Sequence, residues 1–128
     1  MSLRTPLGRV LGHGSAKEGV SHWWLQRVSS VALVPLTLWF IFALLGLPSF
    51  DYLTVRSWMG AGWTPVFLLL LVATLTYHSW LGVQVVLEDY VHTKLNKTLA
   101  LTGSSFLHAI VGAASVFAVL KIAFQGAA

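Results

Sequence analysis

A histidine at position 78 sits in the middle of a long apolar run. Thr74 lies one turn before it and Gly82 one turn after it, on the same face of a helix. An imidazole on such a face, with a glycine leaving room beside it, suits axial ligation of a flat macrocycle such as haem. The same imidazole also suits a hydrogen bond to a neighbouring helix. Ionisable groups inside apolar segments are costly, so each one is a candidate for function.

At the end of the same run stand Glu88, Asp89 and Tyr90. Asp89 returns to nearly the same face as His78, and Tyr90 points to an adjacent one. A phenol beside a carboxylate can donate a hydrogen bond to a quinone carbonyl and relay a proton. The plainer alternative is an interfacial tyrosine with acidic residues at a helix end, a location mildly unfavourable for carboxylates. His22 and Arg27 precede the first apolar run. Arg27 can pair with a carboxylate, either Asp89 or a haem propionate, or snorkel to the interface. Ser30 offers a hydroxyl one turn deeper on the face of Arg27. His108 shares a face with Ser104 and Gly112 and is expected to be a hydrogen-bonded packing residue. Ser105, Ala109 and Ala113 form a ridge of small residues expected to pack against another helix. The chain carries no phosphate loop, HExxH or serine-nucleophile motif.

The elements that must position these residues follow from hydropathy. The chain has 128 residues, 56% hydrophobic and only 9% charged. Soluble domains carry about 25% charged residues, so this chain lacks the charge to cover a water-facing surface. The apolar residues form three runs, predicting helices over 28–47, 64–87 and 99–124. Pro48 stops the first, and Pro65 sits in the first turn of the second, where a missing N–H is tolerated. Each run has the roughly 20 residues needed to cross about 30 Å of hydrocarbon. Only helices are possible, because three spans cannot close a barrel and lipid satisfies no backbone groups.

The sequence therefore predicts an all-α membrane protein with three transmembrane helices, with residues 1–27 as an inner-side segment and 28–128 as the membrane domain. Arg4, Arg9, Lys17, Arg27, Lys94 and Lys97 fall on one side of this topology, and only Arg56 and Lys121 on the other. That asymmetry puts the N-terminus in the cytoplasm or an organelle matrix. Trp23 and Trp24 on the inner side, and Tyr52, Trp58 and Trp63 on the outer, fit interfacial anchors. Met1 to Ser21 has no apolar core of signal-peptide length, so the first run is expected to be retained. The net charge of +4 comes from scattered residues, which argues against nucleic-acid binding. With no cysteine in the chain, disulfides, thiolate-held iron–sulfur clusters and cysteine nucleophiles are excluded from it.

The segment HSWLGVQVVLEDY, His78 to Tyr90, resembles the second-helix signature of the smaller membrane-anchor subunits (D chains) of succinate dehydrogenase, respiratory complex II. That signature combines a histidine, a glycine four residues on, and an Asp-Tyr pair eleven and twelve residues on. The segment HWWLQRVSSVAL, His22 to Leu33, resembles the family's entry into its first span. The resemblance implies half of a heterodimeric membrane bundle that holds a b-type haem between two anchor subunits. His78 then matches this subunit's axial ligand to the haem iron, and Tyr90 the tyrosine that contacts ubiquinone, with Asp89 supporting that site. His22 and Arg27 match residues near the haem propionates, with Ser30 close by. The implied partners are a second membrane-anchor subunit of cytochrome b type, an iron–sulfur subunit, a flavoprotein subunit and the bilayer. The implied role is non-catalytic alone, within succinate:ubiquinone electron transfer. The expected location is a bacterial inner membrane, ahead of a mitochondrial one.

Two other functions use the same residues. A small proton-linked transporter subunit would use His78 and Asp89 as a relay, but such folds usually carry internal repeats and broken spans. A di-haem cytochrome b needs two histidine pairs, spread over more helices than three spans offer.

Overall fold

A computed structural model describes residues 18–125, and Arg4, Arg9 and Lys17 of the charge count lie outside the described residues. The described chain is four helices: α1 (Glu18–Leu45), α2 (Tyr52–Gly60), α3 (Thr64–Tyr90) and α4 (Lys94–Gln125). Three of them contain stretches long and apolar enough to cross a membrane: Val20–Leu45, Thr64–Tyr90 and Lys94–Gln125. The protein is thus an all-helical multi-pass membrane protein.

Helix α1 runs from Glu18, ten residues ahead of the start predicted at position 28. Hydropathy marks where lipid begins, whereas the helix runs on through a segment without proline. His22 and Arg27 therefore stand on helical turns, with fixed directions. Pro35 lies inside α1. At the far end the last turn tightens, with Gly46 N–H donating to Phe42 C=O at 3.1 Å and Leu47 N–H to Leu44 C=O at 3.1 Å. The helix ends there, ahead of Pro48.

Helix α2 was not foreseen from hydropathy. Its start is set by Asp51, whose carboxylate accepts from the Leu53 and Thr54 backbone N–H groups, each at 3.0 Å. Gly62, at φ 52°, makes the turn into α3, a left-handed conformation that glycine adopts without steric penalty. Pro65 occupies the first turn of α3, as expected.

Helix α3 is central. It packs on α1 on one side and on α4 on the other, while α1 and α4 do not meet. The pairing is antiparallel: Ser29 faces His78 across α1 and α3, and Trp80 faces Ser105 across α3 and α4. The start of α1 and the α3–α4 connection therefore share one end of the molecule. Among the described residues, the buried apolar ones are only Leu68, Leu71, Leu81 and Val119. Lipid tails are as apolar as leucine, so burial gives little drive for helix association, and packing and interhelical hydrogen bonds must supply it. Aromatic rings fasten the end near α2, with Trp39 4.8 Å from Phe67 and 6.3 Å from Trp58 between centroids.

Candidate functional site

One face of α1 carries His22, Gln26, Ser29 and Ser30, at offsets of four, seven and eight residues. Those offsets return to the same side of a helix. This polar stripe meets α3 at His78. The His78 Nδ1 lies 3.0 Å from Ser29 Oγ, and Nε2 lies 3.4 Å from the Gln26 amide nitrogen. Ser29 is the one buried polar residue among those described, 6% exposed, and its hydroxyl donates to the Gln26 carbonyl at 3.0 Å. The Ser30 hydroxyl donates to the same carbonyl at 2.8 Å.

Between these two helices lies an open groove of about 780 Å³ lined by His22, Arg27, Ser30, His78, Gly82 and Glu88, among others. Gly82 leaves this wall bare, since an added Cβ would meet only the Gln26 amide nitrogen, at 3.5 Å. The Arg27 guanidinium lies 5.6 Å from the centre of the Trp23 ring, a distance at which ring and cation attract. His22 Nε2, Gln26 Oε1 and Gln84 Oε1 are buried without a hydrogen-bond partner. All three side chains line the groove. Buried polar atoms are normally satisfied, so three orphans in one groove mark a surface built to meet something else.

Four of the sequence-predicted site residues, His22, Arg27, Ser30 and His78, are thus brought together. Asp89 and Tyr90 are not part of the groove. Its α3 wall follows Gly82, Val85 and Glu88, a line that skews across the helix instead of returning to the face of His78. Asp89 and Tyr90 lie beyond it at the end of α3, where Tyr90 is 78% exposed. That end is well capped: Lys97 Nζ donates to the Glu88 carbonyl at 2.6 Å, and His92 Nδ1 to the Tyr90 carbonyl at 3.0 Å.

His108 belongs to the opposite flank of α3. Its Nδ1 donates to the Ser104 carbonyl at 2.8 Å, and Nε2 lies 3.2 Å from Ser79 Oγ. Both ring nitrogens are occupied at the α3–α4 seam, as expected for a packing residue. Ser105 accepts from the Trp80 indole at 3.0 Å, but Ala109 and Ala113 of the small-residue ridge remain exposed.

Over residues 1–122 the chain matches the family described as succinate dehydrogenase/fumarate reductase transmembrane subunit. It belongs to that family. The chain is 35% identical over 104 residues to the succinate dehydrogenase hydrophobic membrane anchor subunit of Rickettsia bellii, across 80% of this chain and 83% of the relative. It is 39% identical over 88 residues to the protein of the same name from Rickettsia conorii, across 67% of this chain and 70% of the relative. With the Paracoccus denitrificans protein of that name it shares 27% over 118 residues, across 92% and 91% of the two chains. No solved structure gives a significant match.

For this member of the succinate dehydrogenase/fumarate reductase transmembrane subunit family, sequence reasoning missed Gln26 and Ser29. It selected Ser30 as the hydroxyl of interest, yet Ser29 is the one against His78. The signal lay in the stripe His22, Gln26, Ser29, Ser30, legible once α1 is extended back to cover it.

Proposed function

We propose that this chain is one of two anchor subunits of a succinate:ubiquinone oxidoreductase in a bacterial inner membrane, its N-terminus on the cytoplasmic side. It holds a b-type haem together with the second anchor, contributes to the ubiquinone site, and docks the iron–sulfur and flavoprotein subunits. It catalyses nothing alone. The family and the names of its relatives support the anchor role. The observation that carries the haem assignment is the groove at His78.

The groove suits that group on three counts. His78 Nε2 has one long contact at 3.4 Å, to the Gln26 amide. Gly82 leaves the adjoining wall free of a side chain. The groove also contains Arg27 and the orphaned Nε2 of His22, which suit the acid groups of a propionate-bearing ring. The haem, when bound, supplies a one-electron carrier within the membrane. His78 offers it a neutral imidazole nitrogen, so no net charge is buried on the ligand. Arg27 offsets propionate charge, and His22 gives its free nitrogen to the same acid. Ser30 keeps its hydroxyl on its own helix and shapes the wall.

Tyr90, exposed at the α3 end, donates its phenolic hydrogen to a quinone carbonyl at the hydrocarbon boundary. Asp89 beside it orients that region. Reduction of the quinone consumes two electrons and two protons, and the exposed α3 end is open to protons from water. The test is a reduced-minus-oxidised visible spectrum of the purified complex, followed by its reoxidation with ubiquinone. Sharp b-type bands that ubiquinone reoxidises are expected. A complex without them has no haem site at His78.

A further inference from the structure

We propose that Ser29 is a positioning residue for His78, fixing the tautomer that leaves Nε2 free to bind iron. This rests on His78 being the axial ligand.

The contact on Nδ1 sets the tautomer. The Gln26 side-chain amide faces Nε2 only at a long 3.4 Å, so Nε2 has no short partner. On the other side, Ser29 gives its only hydrogen to the Gln26 carbonyl at 3.0 Å. Its oxygen is left as an acceptor 3.0 Å from Nδ1, so Nδ1 must carry the hydrogen. The ring is thus held as the Nδ1–H form, the form that ligates through Nε2.

Burial makes this hold effective. Ser29 is 6% exposed, so water does not compete for Nδ1. Its own orientation is fixed by a backbone carbonyl of the same helix. A partner on the non-ligating nitrogen fixes the orientation of a ligand histidine and raises its basicity. Loss of the Ser29 oxygen leaves Nδ1–H unpaired between the two helices, which favours ring rotation or the other tautomer. Gln26 would yield to the iron, a small step because its contact with Nε2 is long.

The test uses the assembled complex carrying Ser29→Ala, with assembly checked by co-purification of all the subunits. A less basic imidazole stabilises ferric iron less, so the haem midpoint potential should rise. Haem retention should fall by about 10–100-fold, the usual effect of removing such a partner. Ser29→Thr restores the hydroxyl and should restore the potential. Should Ser29→Ala fail to assemble, Ser29→Cys decides, because its weaker acceptor should move the potential the same way by less. An unmoved potential and normal haem retention in the assembled variant overturn the proposal. Failure of the underlying assignment looks different: His78→Ala would then keep a normal haem.

Discussion

Ser79 Oγ and His108 Nε2 face each other at 3.2 Å across the α3–α4 seam, while the other nitrogen of His108 is held by the Ser104 carbonyl at 2.8 Å. A histidine with both nitrogens engaged this way ties two helices together. Interhelical hydrogen bonds in membranes contribute on average about 0.6 kcal/mol, and up to about 1.7 kcal/mol. His108→Ala should therefore lower the thermal stability of the complex by an amount in that range, measurable by heat inactivation of succinate:ubiquinone activity. Loss of several kcal/mol would show that His108 does more than join helices.

The same seam is tight at Gly112. A Cβ there would lie 3.0 Å from Cγ2 of Thr76. Thr76 is β-branched and stiff at χ1, so the helices themselves would have to move. Gly112→Ala should destabilise by about 1–3 kcal/mol, as overpacking does. Thr76→Ser removes the offending methyl, and the double variant should recover most of the loss. Heat inactivation of the two single variants and the double one checks this, and simple additivity would refute the contact.

Asp51 governs the short helix α2. The Ser49 hydroxyl, then the Thr54 hydroxyl and backbone N–H, hold its carboxyl far below the ordinary value of 3.8. A depressed folded pKa stabilises above the unfolded pKa, and that support disappears as pH falls through the folded value. The cap should thus be intact from about pH 4 upward and fail only in strong acid. Asp51→Ala should speed amide hydrogen exchange at Leu53 and Thr54 at neutral pH. Equal exchange rates in the variant would mean that the cap does not set the start of α2.

The three spans were legible because lipid imposes one rule on every buried backbone group, and apolar runs of this length obey it visibly. The His78 face was legible because helical periodicity needs no partner to be computed. The extension of α1 back to Glu18 was not, since no hydropathy signal marks a helix beyond the bilayer. With it went Gln26, while Ser29 lay inside the predicted span but gains its importance only from the way α1 crosses α3. Asp89 shows the converse limit. Periodicity places it with His78, but the groove skews with the crossing helix and follows Glu88 instead. Helix α2 escaped because a nine-residue helix leaves no span-like signal, although Asp51 was a cap in plain sight.

Tyr90 stands outside the groove, so haem and quinone functions should separate. Tyr90→Phe keeps the ring and removes the hydroxyl. Ubiquinone reduction by succinate should fall at least tenfold, as the loss of a hydrogen bond to the reacting group does. Dye-coupled succinate oxidation and the haem spectrum should stay near normal. Unchanged quinone reduction in an assembled complex would reject the role of Tyr90.

The most direct test of the account compares the reduced visible and ligand-sensitive spectra of complexes carrying His78→Ala and His108→Ala. His78→Ala should lose the haem or its two-histidine ligation, while His108→Ala should keep a near-normal spectrum. A normal haem in His78→Ala with a lost or altered one in His108→Ala would contradict it.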